Sequence, residues 1–397
     1  MGVIFNNTPH PLRLFVYCLL LSTELLAQPK VIIGVLLPLE TNTSSKIFND
    51  KLQNIESHSH KTYQINEQVN ASFSFLEGLM RSKVETDSNS RWEIKVFDTG
   101  LGDSLLPDIW QHSKKELAAC RLIIGPVSNY GARLAAEFCK ENKIYNIQPF
   151  SPSRSIGTDN PYLIKLNPGI DAIVENTFYS ILDSFRQAQV ILYAPAKGVE
   201  GAAAMYLDSL IKNDPKAQKT GISSKLCLIG GEKKGNIIDI LATAKNPVVV
   251  STSLNLSWVQ GILKPLAGKS VPLYGMPNWL QSEIIRLDYL NDCSTRIPDF
   301  FDIDSTNSSI YDFTAQYLLD NGVPPDRSAW LGKDVGDFCI SLFDNTGDIN
   351  LQEGKTFHGL AHQFRLTSRV KNSSILFWEN SYCPIFQITD YLLRKVH

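Results

Sequence analysis

An unbroken apolar run followed by an amphipathic stripe constrains this chain more than any other feature, because the pair recurs along most of its length. The first instance is KVIIGVLLPLE from Lys30. It is continuous and meets a proline, as expected of a strand covered on both faces. A polar, aperiodic stretch runs from Thr41 to Lys61 and reads as an inserted loop. NEQVNASFSFLEGLMRSKV then spaces Val69, Phe73, Leu76, Leu79 and Met80 at a helical period. The rhythm continues through strand RWEIKVFDTG, helix SLLPDIWQHSKKELAA with an early break at Pro107, strand CRLIIGPV, helix NYGARLAAEFCKENK and strand IYNIQPFSPS. Such alternation with short connections predicts a parallel sheet with helices on both sides.

After NPYLIKLNPG the pattern starts afresh. DAIVENTFYSILDSF, EGAAAMYLDSLI, NIIDILATAK and LSWVQGILKPL read as helices; QVILYAPA, KLCLIGG, NPVVVSTS and SVPLYGMPNW read as strands. Two successive series imply two lobes rather than one oversized sheet, and a length of 397 residues suits two domains. From Leu280 the pattern is mixed. YDFTAQYLLDNGVPPDRSAWLGKDVGDFCISLF reads as two helices around a Pro-Pro turn, and the end, HGLAHQFRLT through PIFQITDYLLRKV, as short antiparallel strands.

The N-terminus stands apart. PLRLFVYCLLLSTELLAQPK carries one arginine, an apolar core from Leu14 to Leu21 and a small residue at Ala27, the order of a secretory signal peptide. Cleavage after Ala27 leaves Gln28 first and a periplasmic protein. Cys18 lies inside the apolar core behind Val16 and Tyr17, which argues against a lipid-anchored cysteine. No later stretch is apolar for long enough to span a bilayer.

The six remaining cysteines are dispersed, without CxxC spacing, and read mostly as small buried hydrophobes; Cys120 with Cys139 is one conceivable pair. A formal net charge of −2 gives no basic field for nucleic acid. No GxGxxG follows the first strand, and Walker, GxSxG and HExxH signatures are absent, so no enzyme, cofactor or metal centre is expected. His58 and His60 sit in a polar loop; His112, His358 and His362 lack partners in a spaced motif. DIDSTNSS, from Asp302, lacks the glycine and distal glutamate of a calcium loop.

Strand ends are where open α/β sheets bind ligands. Here the third and fourth strands both run into hydroxyl-rich loops. Ser128 and Asn129 precede a helix, whose first backbone N–H groups suit a carboxylate. Ser151, Ser153 and Ser155 add hydroxyls, and Arg154 among them suits a second carboxylate or a phosphate. The same residues also make ordinary turns and caps, and Arg154 suits solvent equally well.

The run from LIIGPVSNYGARLAAEF through IQPFSPSRSIGTDNPYLIKLNPG, together with IGVLLPL near the start and FHGLAHQFRLT and ILFWENSYCPIFQI near the end, resembles the type I periplasmic solute-binding proteins, among them the branched-chain amino-acid and amide binders of ABC transporters. The likeness spans nearly the whole chain after residue 27. It implies two Rossmann-like lobes with parallel sheets flanked by helices, joined by three crossings and hinged around a central cleft. On this reading lobe one holds 28–160 and 271–355, and lobe two 161–270 and 356–397.

The resemblance further implies that Ser128, Ser153 and Ser155 hold a ligand's α-carboxylate and α-ammonium. It makes Tyr63 the aromatic before the first helix, and puts Lys197 in a loop where relatives offer an aromatic or acid. Asn278 and Trp279 stand where many relatives carry an acid for the ammonium. The implied function is capture of a small polar ligand, of the amino acid or amide class, by hinge closure and delivery to an ABC permease. The altered second-lobe loops and the Thr41–Lys61 insertion favour an alternative, a non-transport relative acting as a sensor or as an interaction module for an envelope protein.

Overall fold

The structure, a computed structural model, describes residues 30–41, 66–82, 92–157, 159–230, 236–304, 306–344 and 347–396. The expected signal segment 1–27, most of the polar stretch from Thr41 to Lys61, the His58–His60 pair and Tyr63 lie outside the described residues.

Strands are numbered along the chain. The first sheet holds β1 (Val31–Leu37), β2 (Trp92–Asp98), β3 (Leu122–Ile124), β4 (Tyr145–Gln148), β5 (Leu163–Lys165), β11 (Thr356–His358), β12 (Gln363–Lys371) and β13 (Ser374–Asn380). Its order is β2-β1-β3-β4-β5-β13-β12-β11, parallel as far as β13 and antiparallel beyond. The second holds β6 (Gln189–Pro195), β7 (Ser223–Ile229), β8 (Pro247–Val250), β9 (Leu273–Tyr274), β10 (Arg296–Pro298), β14 (Ile385–Thr389) and β15 (Leu392–Lys395). Its order, β7-β6-β8-β9-β10-β14-β15, repeats the winding of the first, with β14 and β15 antiparallel at the edge. Each lobe is therefore a doubly wound α/β unit whose strand order reverses beside its first strand, the position where such sheets leave a crevice.

Among the described residues seven helices of three turns or more cover the sheets: α1 (Glu67–Met80), α2 (Asn129–Asn142), α3 (Ile170–Ser184), α4 (Gly198–Asn213), α5 (Leu256–Leu266), α6 (Ser308–Asn321) and α7 (Arg327–Ser341). Along β1, Ile33, Val35 and Leu37 bury against Phe75 and Leu79 of α1 and Val335 and Phe338 of α7, while Leu36 faces Ala135, Phe138 and Cys139 of α2. This period-two division is what a strand covered on both faces requires. Helices α1 and α7 meet backbone to backbone: a Cβ on Gly78 would fall 1.9 Å from the Ala329 carbonyl oxygen, and one on Gly332 1.9 Å from that of Phe75. The segment read as one helix broken at Pro107 is two short helices that part at Ser113, with Pro107 tolerated in the first turn.

The chain crosses between lobes three times, at 166–169, 299–303 and 381–384. Asn380 donates from Nδ2 to the Leu166 carbonyl, and the Asp299 N–H donates to the Pro384 carbonyl, so the crossings lie side by side. These positions correct the expected boundaries. Residues 271–298 were expected in lobe one, yet β9 pairs with β8 and β10 in the second sheet. Residues 356–380 were expected in lobe two, yet β13 pairs with β5 in the first sheet. Sheet membership is decided by pairing between distant segments, which local pattern does not carry.

The six cysteines among the described residues are all free. Cys120 and Cys139 share one buried cluster without being bonded.

Candidate functional site

A cleft of about 850 Å³ opens between the lobes at the carboxyl ends of both sheets. From the first lobe it takes Asn129 at the start of α2 and the Ser151–Ser155 loop after β4. From the second it takes Gly198, Val199 and Ala202 of α4, Leu254 after β8 and the Met276–Asn278 loop after β9. The crossings add Asn167, Asp299, Phe300 and Cys383, and α3 adds Ile170 and Ile173.

The polar wall is already knitted. Ser151 Oγ donates to Asn129 Oδ1 and accepts from the Ser153 N–H. Ser153 and Ser155 share a hydrogen bond between hydroxyls at 2.9 Å, and Asn167 Nδ2 donates to the Phe150 carbonyl. Among the described residues two charged side chains reach the cleft. Arg154 forks onto Asp171 of α3, with Nε 2.9 Å from Oδ2. Asp299 receives Arg327 Nη2 at 2.9 Å on both oxygens, and that guanidinium also lies 4.2 Å above the Phe301 ring. Asn278 donates from Nδ2 to the Leu254 carbonyl, which fixes its amide, and its Oδ1 is buried with no partner.

Beneath the serine loop lies a buried ionic group. Lys165, at the end of β5, donates to the Ser153 carbonyl at 3.0 Å and lies 4.1 Å from the Phe377 ring centroid. Burial pushes its ammonium down to about 8 against the opposing pull of Glu379 and Asp171. Burial also raises the Glu379 carboxyl, opposed by Arg369. Arg369 joins Glu379 to Glu175 of α3, whose carboxylate also accepts from the Tyr206 hydroxyl.

The structure brings Asn129, Ser151, Ser153, Arg154, Ser155 and Asn278 to one cleft. Ser128 stands one residue off it: its hydroxyl caps α2 by accepting from the Gly131 N–H, and its own N–H donates to Asp103. Lys197 is exposed just before α4, and the following residues, Gly198 and Val199, face the cleft instead. Trp279 is 1% exposed in the second-lobe core, with its indole N–H on the Ser253 carbonyl and its ring against Gly275. The apolar wall of Ile170, Ile173, Val199, Leu254, Met276 and Phe300 escaped the sequence reading, because apolar residues beside strands look like core. Among the described residues no group of three His, Cys, Asp or Glu is placed to hold a metal ion.

His362 does have a partner. Its Nδ1 lies 2.9 Å from buried Asp334, which also accepts the N–H groups of Leu360, Ala361 and His362. The pair packs behind Phe300, away from the cleft surface.

No family model matches the sequence, and no curated protein does either. Solved structures do match over almost the whole chain. A putative branched-chain amino acid ABC transporter protein from Rhodospirillum rubrum aligns at a TM-score of 0.63 and 11% identity, covering 92% of this chain and 99% of that one. The chain has the type I periplasmic-binding fold. An ABC transporter substrate-binding protein from Desulfitobacterium hafniense in complex with Leu shares this fold with it at a TM-score of 0.56 and 14% identity, over 92% and 99% of the two chains. LpoA from Haemophilus influenzae matches at 0.55 and 12% identity, where 93% of this chain corresponds to 58% of that one. In this fold the cleft found here lies between the lobes, beside the three crossings.

Proposed function

We propose that the protein is an exported binding protein that captures a small ligand between its lobes, closes about the three crossings and delivers the ligand to an ABC permease. The cleft carries this reading: both lobes contribute strand-end loops to it, and its volume suits a small molecule. A ligand touching both walls favours the closed state by its differential affinity. The names of the Rhodospirillum and Desulfitobacterium proteins support amino-acid transport as the setting. The N-terminal signal-like segment supports export to the periplasm. Among the described residues no helix is long and apolar enough to cross a membrane. The cleft loops support binding rather than catalysis.

The likeness to LpoA favours a second reading, a non-transport envelope or sensor protein on the same fold. A thermal-shift screen of the chain from Gln28 onward, followed by small-angle scattering with each hit, separates them. Ligand-dependent melting together with a smaller radius of gyration supports capture by closure. A flat screen on folded protein sinks that reading for the compounds tested and favours the second.

A further inference from the structure

We infer that the cleft selects an uncharged ligand with an apolar body and a hydrogen-bond donor, and disfavours free amino acids; this rests on the cleft being the ligand site. Among the described residues, both charged side chains on its wall are committed elsewhere, Arg154 to Asp171 and Asp299 to Arg327. A zwitterion's carboxylate would compete with Asp171 for the half-exposed Arg154, whereas its ammonium would have to displace Arg327 from buried Asp299 or be desolvated without a partner, and an unpaired buried charge is costly. Part of the donor set that a carboxylate would use is already spent: the Ser151 hydroxyl donates to Asn129 Oδ1, and one proton lies between the Ser153 and Ser155 hydroxyls.

What the wall offers freely is different. Ile170, Ile173, Val199, Met276 and Phe300 present apolar surface from both lobes and a crossing. Asn278 lines the wall and holds an unspent acceptor: its Nδ2 is held by the Leu254 carbonyl and its Oδ1 is buried without a partner, so a ligand donor reaches it as the loop yields. A buried acceptor left unpaired costs free energy that a ligand N–H or O–H recovers. The three features together describe a neutral molecule that is mostly apolar and donates one hydrogen bond to Asn278.

The test pairs compounds that share a side chain and differ in charge: L-leucine with N-acetyl-L-leucinamide, and L-phenylalanine with N-acetyl-L-phenylalaninamide, titrated calorimetrically into the chain from Gln28 onward. The capped amides are expected to bind at least about ten-fold tighter than the free amino acids, and Asn278→Ala to weaken them by about ten-fold. Free amino acids binding as tightly as or tighter than the amides would overturn the inference and leave the cleft standing as a ligand site. Amide binding unchanged in Asn278→Ala would remove Asn278 from it. Binding of neither set counts against the cleft reading itself and against the inference with it.

Discussion

Arg154, on the loop after β4, lays its guanidinium against both carboxylate oxygens of Asp171, in the first turn of α3. The two residues belong to different lobes. One turn further along the same helix, Glu175 receives Arg369 of β12. Positions four apart share a helix face, so α3 turns an acidic edge toward the first lobe and meets an arginine at each step. The lobes are thus joined by ion pairs beside the crossings, on the flank of the cleft.

The Arg154–Asp171 pair should bias the hinge without adding much stability. Its side chains are 47% and 35% exposed, and pairs so exposed contribute about 0.2–1 kcal/mol. Arg154→Gln is expected to lower the unfolding free energy by no more than about 1 kcal/mol while shifting the open-to-closed ratio by up to about five-fold. Urea denaturation reads the first, and a distance between spin labels on the two lobes reads the second. A loss of several kcal/mol, or an unmoved distance distribution, would refute this assignment.

Lys165 makes a pH signature. Its folded-state ammonium titrates at about 8 and its unfolded-state one at 10.5. Between these values the unfolded chain binds more protons, so this residue's contribution to stability rises with pH across that window. Below about 8 the full cost of burying the charge is present. In Lys165→Met the wild-type-minus-variant stability difference should climb by on the order of 3 kcal/mol from pH 8 to 10.5. A flat difference measured by denaturant unfolding across that range would contradict it.

The βα rhythm was legible because strands covered on both faces must be apolar throughout, as VIIGVLL is in β1. The exchange of chain between lobes was not. Strands β5, β9 and β10 are LIK, LY and RIP, too short to show a period. The crossings pass through Asn167, Asp299 and Ser381 with no shift in composition. At the cleft, hydroxyl-rich loops after strands led to loops that line it, but not to which side chains face it. Ser128 and Asn129 are adjacent polar residues at a helix start, and only the backbone trace decides which caps and which faces the cleft. Ser128→Ala should accordingly cost about 0.5–2 kcal/mol as a lost cap and leave ligand affinity unchanged. A calorimetric titration showing lost affinity at undiminished stability would return Ser128 to the site.

Two glycine-to-alanine changes in helices should have opposite signs. Gly261 lies in α5, exposed, with open space where a Cβ would go. Alanine there stabilises by roughly 0.5–1 kcal/mol through backbone entropy. Gly332 lies where α7 touches α1, and its Cβ would collide with the Phe75 carbonyl. Forcing these helices apart costs about 1–3 kcal/mol or more. Matched denaturation curves check both, and equal signs would mean that α1 and α7 do not pack this closely.

Asp334 should be the costliest polar residue to remove among those considered. It is fully buried, and its two oxygens accept three successive backbone N–H groups and the His362 imidazole. Asp334→Ala leaves these four donors without their acceptor, and each one left buried and unsatisfied costs about 1–3 kcal/mol. His362→Phe removes one donor and leaves the backbone contacts with the carboxylate intact. Its ring position already lies among Phe300, Phe301 and Phe364, so it should cost clearly less. Phe300 links this support to function, since its ring rests 5.1 Å from the His362 ring and forms part of the cleft wall. Both variants are therefore expected to weaken cleft binding, but in different proportion to stability: Asp334→Ala mainly unfolds the protein, whereas His362→Phe mainly perturbs the wall. Denaturation and ligand titration on the two variants separate these effects, and equal stability losses would mean that the carboxylate's backbone contacts contribute little.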